Sequence, residues 1–221
     1  MYESIGDNLL HIQEEIGPCK PRIIAVTKYF GKEAIIAGYK AGIRDFGESR
    51  VIEACEKIES LETEIRQNSK FHFIGHLQTN KVKQAVKIFD YIHSVDSVKL
   101  AKCISLQAKE LNKIQKILLQ VNNANEEQKF GFSKDEIFNN FEQIQLLENI
   151  EIVGIMNMAP LGIPEENIQK LFNDVVDIRN KLEKQYNCKL KEISMGMSQD
   201  YIIAAKAGST MLRIGRKLFE Q

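Results

Sequence analysis

Lys28 closes an apolar, β-branched run, Ile23-Ile24-Ala25-Val26-Thr27-Lys28, that ends shortly before Gly31. Such a run reads as a buried strand carrying an amine at its C-terminal tip. Burial disfavours the ammonium form, and a neutral amine in a pocket is the nucleophile that Schiff-base chemistry with an aldehyde requires. The strand alone leaves a plain surface lysine open as an alternative. Further along, Ile193-Ser194-Met195-Gly196-Met197-Ser198-Gln199-Asp200 reads as strand, glycine turn and helix start, with Ser198 as N-cap and Asp200 in the first turn. A helix start of that kind offers free N–H groups to an anion. A second small-residue turn follows at Ala207-Gly208-Ser209-Thr210, and then Arg213-Ile214-Gly215-Arg216. Together these turns suit a phosphate.

The histidines say less. His72 and His76 bracket Phe73-Ile74-Gly75. On a strand they share a side but lie roughly 13 Å apart, too far for a metal pair. His72 reads as a core or bottom-face residue, His76 as a rim residue open to function, and His11 and His93 as structural or exposed. There is no Ser-His-Asp order, no P-loop and no carboxylate pair with glycosidase logic. No residue is assigned as catalytic, and no metal site is expected. Glu126-Glu127, ahead of Lys129 and Gly131, reads as a solvated acidic loop.

These residues need a frame. Strand-like runs occur at 22–28, 43–46, 71–74, 91–95, 116–122, 150–157, 192–195 and 211–214. Helical patterns occur at 32–41, 49–65, 80–89, 97–112, 134–147, 166–185 and 199–207, after an N-terminal helix over about 3–16. Eight strands alternating with helices in one undivided chain predict a single α/β domain over 1–221: a (β/α)₈ barrel, or TIM barrel, with an extra N-terminal helix. A doubly wound open sheet is the alternative, but the turn after Lys28 lacks the glycine pattern that such a sheet usually shows. Barrel sites lie at the C-terminal ends of the strands. Those ends carry Lys28, Glu48, Gly75-His76, Asp96, Asn122, Asn157-Met158, the turn 194–198 and Arg213-Ile214-Gly215. Phosphate sites in this fold commonly follow strands seven and eight, where the Gly196 and Gly215 turns lie.

The chain has 221 residues, with 30 basic and 30 acidic side chains. The length is ample for a real core. The charge balance leaves no electrostatic footprint for nucleic acid or an anionic membrane. No apolar run approaches the roughly 20 residues of a membrane-spanning helix. The start, Met1-Tyr2-Glu3-Ser4-Ile5-Gly6-Asp7, is too acidic and polar for a signal peptide. Cys19, Cys55, Cys103 and Cys188 form no CxxC pair and read as reduced thiols, so a cytoplasmic setting is expected. No helix shows an all-round apolar face, and a monomer is expected.

Eight short motifs stand in order along the chain: AVTK ending at Lys28, FGE at 46–48, HFIGHLQTNK at 72–81, HSVDS at 93–97, LQVN at 119–122, GIM-x-MAP at 154–160, SMGMS-x-D at 194–200 and GST-x-x-RIG at 208–215. With them the chain resembles the pyridoxal phosphate homeostasis proteins, relatives of the N-terminal barrel of alanine racemase, over nearly its whole length. The resemblance implies pyridoxal 5′-phosphate as cofactor, held as a Schiff base on Lys28. Ser194 or Ser198 and the Gly215-Arg216 turn are then expected to hold the phosphate, and Arg213 to sit near the pyridine nitrogen. Asn157, His76 and Met195 complete the expected cofactor contacts. The alternative for Arg213 is an ion pair with a rim carboxylate such as Glu48 or Asp200. The chain departs from the family pattern at Ser49, where asparagine is usual after FGE, at Phe71, usually tryptophan, and at Arg216, usually serine or threonine after RIG.

The resemblance implies a carrier or buffer of pyridoxal phosphate, acting on vitamin B6 and amino-acid balance and transiently meeting apo-enzymes that use the cofactor. A guanidinium facing the pyridine nitrogen disfavours its protonation and weakens the ring as an electron sink. Racemisation also needs an acid/base on each face of the α-carbon. In the racemases that this barrel resembles, the second-face tyrosine comes from an added C-terminal domain. With the closing strand so near Gln221, no such domain is expected here. A pyridoxal-phosphate-dependent racemase or related enzyme of low activity is the first alternative. A barrel for another phosphorylated ligand, with an aldolase-like Lys28, is the second.

Overall fold

The computed structural model describes residues 4–124 and 130–219, so Glu126, Glu127 and Lys129 lie outside the described residues. Eight strands form a closed barrel in chain order: β1 (Arg22–Val26), β2 (Asp45–Glu48), β3 (Lys70–Phe73), β4 (Tyr91–Val95), β5 (Gln115–Val121), β6 (Ile150–Asn157), β7 (Glu192–Ser194) and β8 (Met211–Ile214). Every pairing is parallel. The seam closes with Ile24 opposite Arg213 and Ala25 opposite Ile214. The helices are α1 (Ile5–Ile16), α2 (Lys32–Lys40), α3 (Val51–Glu59), α4 (Thr63–Gln67), α5 (Val82–Ile88), α6 (Val98–Glu110), α7 (Lys134–Gln145), α8 (Glu165–Tyr186), α9 (Tyr201–Ala207) and α10 (Arg216–Phe219). The barrel is the fold expected from the alternating pattern.

Side chains alternate across each strand, and this divides the apolar residues into two compartments. The larger lies between strands and helices, where Ala25, Phe46, Ile117 and Ile155 meet Ile35, Ile58, Phe141 and Phe172. The smaller fills the barrel interior with Ile24, Tyr91, Leu118, Val153, Met156 and Met211. That inner core is too small to occupy the whole axis. Polar residues share it: His72, His93, Ser194 and Arg213 are all buried.

Several bounds shift by one or two residues, β2 from 43–46 to 45–48 among them, and two regions differ more. The stripe Val51, Ala54, Ile58, Leu61, Ile65 keeps helical spacing throughout, yet the chain breaks between α3 and α4. Both Leu61 and Ile65 remain buried across the break. One helix over 49–65 would run about 25 Å, about twice the length of the four-residue strand that follows it. The turn lets the same stripe be buried and still returns the chain to β3. After β8, α10 is only four residues long. The extra helix α1 compensates, packing on α9, α10 and α2 and donating from Asn8 Nδ2 to the Leu218 carbonyl at 3.1 Å. Among the described residues no helix is long and apolar enough to cross a membrane.

Candidate functional site

Ile24 lies in the inner core. Val26 and Lys28 follow at the strand period of two, so Lys28 continues the inward face just past the end of β1. It is half-buried, and its Nζ stands 4.9 Å from the ring centre of the exposed Tyr29. The neighbouring strand across the seam is β8. Arg213, opposite Ile24, sits four residues deeper than Lys28, about 13 Å along the strand direction.

Arg213 is only 3 % exposed. Its Nη1 donates to Ser194 Oγ at 2.6 Å and its Nη2 to the Asn157 carbonyl at 2.8 Å. Burial pushes the guanidinium down to about 10, against the attraction of Asp200, which leaves it a cation at neutral pH. These bonds use two of its five N–H donors. Glu48 does not pair with it. That carboxylate turns outward, accepting from Thr27 Oγ1 and from Lys57 Nζ, each at 2.7 Å. Asp200 acts on Arg213 through its charge, while its Oδ1 accepts the Met197 N–H at 2.5 Å. Burial raises the Asp200 carboxyl pKa.

The turn after β7 depends on Gly196. Its φ is +95°, and a Cβ there would lie 2.5 Å from Ala204 Cβ and 2.8 Å from Leu212 Cδ2. The glycine therefore lets the turn close against α9 and β8, where its carbonyl accepts the Arg213 N–H at 3.0 Å. Helix α9 begins at Tyr201 with Asp200 as its cap, two residues later than expected. Ser198 is therefore not its N-cap. Ser198 Oγ instead accepts the Lys217 N–H at 3.5 Å. This bond joins the Ser198 turn to the first turn of α10, bringing Ser198, Gly215 and Arg216 together at the rim. The first N–H groups of a helix have no partner within it. The Arg216 side chain is exposed, whereas that of Lys217 turns away to Glu15 at 2.8 Å.

The other expected contacts are less uniform. Asn157 presents its carbonyl to Arg213. Its amide nitrogen is bound to Val121 O and Asn123 Oδ1, at 3.0 and 2.8 Å, and its buried Oδ1 has no partner among the described residues. Ser194 lies inside the barrel, bound to Arg213 and to His93. The Met195 side chain packs in the outer core, so the structure does not bring it to the mouth. His76 stands on the rim between β3 and β4, with Nδ1 3.3 Å from Asp96 Oδ2 and its ring stacked on Phe130 at 3.7 Å. Ser49 lines a cavity of about 320 Å³ on that side, together with Arg50, His76 and Lys81.

Sequence reasoning missed His93. It is buried on the barrel axis against Ser194 Oγ at 2.9 Å. His93 follows the inward Tyr91 at the strand period of two, and which face of β4 turns inward is set by its partners. Beyond it lies a bulge: between Ile92 and Val95, β4 spends three steps against two on β5. The bulge moves Val95, which alternation would place on the face of Tyr91 and His93, to the outer core. Period-two reading carries no sign of it, because an extra residue is visible only against its partner strand.

The family model of the alanine racemase N-terminal domain matches residues 2–220. The pyridoxal phosphate homeostasis protein of Synechocystis is 42% identical over 202 residues, covering 91% of this chain and 92% of that protein. The structure of PipY from Synechococcus elongatus without PLP superposes with a TM-score of 0.91 at 36% identity, covering 97% of this chain and 99% of that one. The structure of PipY with PLP bound superposes with a TM-score of 0.88 at 35% identity, with the same coverage.

Proposed function

We propose that this chain, which belongs to the alanine racemase N-terminal domain family together with the pyridoxal phosphate homeostasis proteins, binds pyridoxal 5′-phosphate on Lys28 and serves the homeostasis of that cofactor. One observation carries the reading. Lys28 and Arg213 occupy the inward face of neighbouring strands across the β1–β8 seam, and the joined Ser198 and Gly215 turns lie on the same rim. An amine, a guanidinium with unused donors and a patch of free backbone N–H groups fit an aldehyde, a ring nitrogen and a phosphate in turn. When bound, the cofactor supplies an aldehyde carbon and an aromatic ring able to draw electrons from an attached amino compound.

In this reading Lys28 holds the aldehyde carbon as a Schiff base. Arg213 donates to the ring nitrogen and, as a cation, keeps that nitrogen unprotonated. Ser198 and the backbone N–H groups at Gly215 and Arg216 hold the phosphate, and the exposed Arg216 side chain adds positive charge from outside. The protein acts as a cytoplasmic, monomeric carrier that passes the cofactor to apo-enzymes and does not catalyse. The four free thiols suit a reducing compartment. A racemase-like activity of low rate is the second reading, favoured by one observation: the His76–Asp96 pair puts an imidazole on the rim.

The test is borohydride reduction of the protein loaded with pyridoxal phosphate, followed by peptide mapping. The pyridoxyl adduct is expected on Lys28, and Lys28→Ala is expected to lose the visible absorption band. Failure to take up the cofactor, or an adduct confined to Lys81 or Lys129, overturns the reading. Exchange of the α-proton of L-alanine into deuterated solvent, abolished in His76→Ala, would establish the second.

A further inference from the structure

Four polar side chains connect Arg213 to the opposite end of the barrel. Ser194 Oγ lies 2.9 Å from His93 Nδ1. His93 Nε2 lies 2.9 Å from His72 Nδ1, and His72 Nε2 lies 2.9 Å from Asp45 Oδ1. Asp45 is half-exposed at the start of β2 and faces Arg22 at 3.7 Å. The His72 ring stacks on Tyr91 at 4.6 Å, within 5° of parallel, so it has little freedom to turn. Both imidazoles are fully buried, at 0 % exposure.

The donors and acceptors allow one arrangement when both imidazoles are neutral. The Asp45 carboxylate can only accept, so His72 carries its proton on Nε2. His72 Nδ1 must then accept, so His93 also carries its proton on Nε2. His93 Nδ1 is left to accept, and the group facing it is the Ser194 hydroxyl. With its hydrogen committed to His93, Ser194 presents only lone pairs to Arg213, which as a guanidinium can only donate. Every bond points the same way, from the cation at the mouth to the carboxylate at the far end. Bonds aligned in this manner polarise one another. Neutral imidazoles agree with their surroundings: burial pushes both pKa values down, further for His93, which also feels His72 and Arg213.

We propose that His72 and His93, anchored by Asp45, are positioning residues that fix the Ser194 hydroxyl as an acceptor and so hold Arg213 in place, with its remaining donors turned to the ligand. Without an acceptor at His93 Nδ1, the Ser194 hydroxyl is free to turn its hydrogen toward the guanidinium, setting donor against donor. The proposal rests on the reading that Arg213 meets the ring nitrogen of pyridoxal phosphate, but its first test does not.

That first test is nitrogen-15 NMR of the imidazoles in the protein without cofactor. Both histidines are expected to be neutral, protonated on Nε2 and unprotonated on Nδ1, at pH 7. A proton on Nδ1 of either, or a charged ring, overturns the relay. The second test compares His93→Asn with His93→Gln by titration with pyridoxal phosphate and by the absorption spectrum of the bound form. Asparagine places a carbonyl near the position of Nδ1 and keeps the acceptor for Ser194. Glutamine places its amide near Nε2 and loses that acceptor. The relay predicts near wild-type affinity and spectrum for Asn. For Gln it predicts affinity about 10- to 100-fold weaker, the scale of one hydrogen bond to a charged group, with a shifted band. Equal behaviour of the two variants means that His93 only fills space, and the proposal fails. If wild-type protein takes up no pyridoxal phosphate, the reading of the site fails while the NMR result still decides the relay.

Discussion

Glu48 stands at a strand end, where a carboxylate facing the axis would neutralise Arg213. Its partners lie on the other side of the sheet. Thr27 Oγ1 and Lys57 Nζ both reach it at 2.7 Å, and Lys57 also donates to the Thr27 carbonyl at 2.9 Å. Glu48 is 2 % exposed, so this is a buried, hydrogen-bonded ion pair. It fixes the backbone of Thr27, the residue that precedes the amine at Lys28. Lys57→Met removes the cationic partner and leaves a buried carboxylate with only Thr27 Oγ1 donating to it. A loss of about 3–5 kcal/mol is expected, read as a lower urea midpoint. The double variant Glu48→Gln with Lys57→Met is expected to recover part of it. A single variant as stable as wild type would show that Glu48 is compensated by Thr27 alone.

At the level of elements, glycines decide how closely the last strands approach. Gly154 on β6 faces the β7 backbone, and a Cβ there would lie 1.8 Å from the Glu192 carbonyl oxygen. No side-chain rotation relieves a contact with backbone. Gly196 adds a left-handed φ of +95° to its contacts with Ala204 and Leu212. Gly196→Ala is expected to cost about 1–3 kcal/mol in backbone strain alone, and to weaken uptake of pyridoxal phosphate because the turn carrying Ser198 must move. Calorimetry and a cofactor titration check both effects. An alanine variant with wild-type melting and affinity would mean that the β7 turn does not need its close packing. The four-residue α10 is backed by α1, which packs on it and on α9.

For the molecule as a whole, the polar axis couples stability to pH. Burial holds the pKa values of His72 and His93 below the usual imidazole value, which is about 6.5 in an unfolded chain. Above that pH both rings are neutral in either state and their contribution to stability is constant. Below it the unfolded chain takes up protons that the folded barrel refuses, so stability falls as the pH falls, until the folded values are reached. The slope is about 1.4 kcal/mol per pH unit for each histidine. Urea midpoints are expected to be flat between pH 8 and 7 and to drop between pH 6 and 5. His93→Asn should lose about half of that slope. A stability that is level or rising toward pH 5 would contradict neutral, buried imidazoles.

The sequence by itself determined the eight strands, the lysine tip and the glycine turns, because each is a local property. Period-two runs, turn residues and a small-residue motif are set by neighbours along the chain. The bounds of β4, β6 and β8 were legible to the residue, including the strand that holds Arg213. Tertiary structure alone decided which face each rim residue uses. The β4 bulge sent Val95 outward, off the face that Tyr91 and His93 share. The outer core took Met195, and the outward pair with Lys57 took Glu48. Closure of β8 on β1 set Arg213 opposite Ile24. Each of these is a contact between residues distant in sequence, and its sign, inward or outward, changes with a one-residue shift in register. Such a shift leaves no trace in composition or spacing.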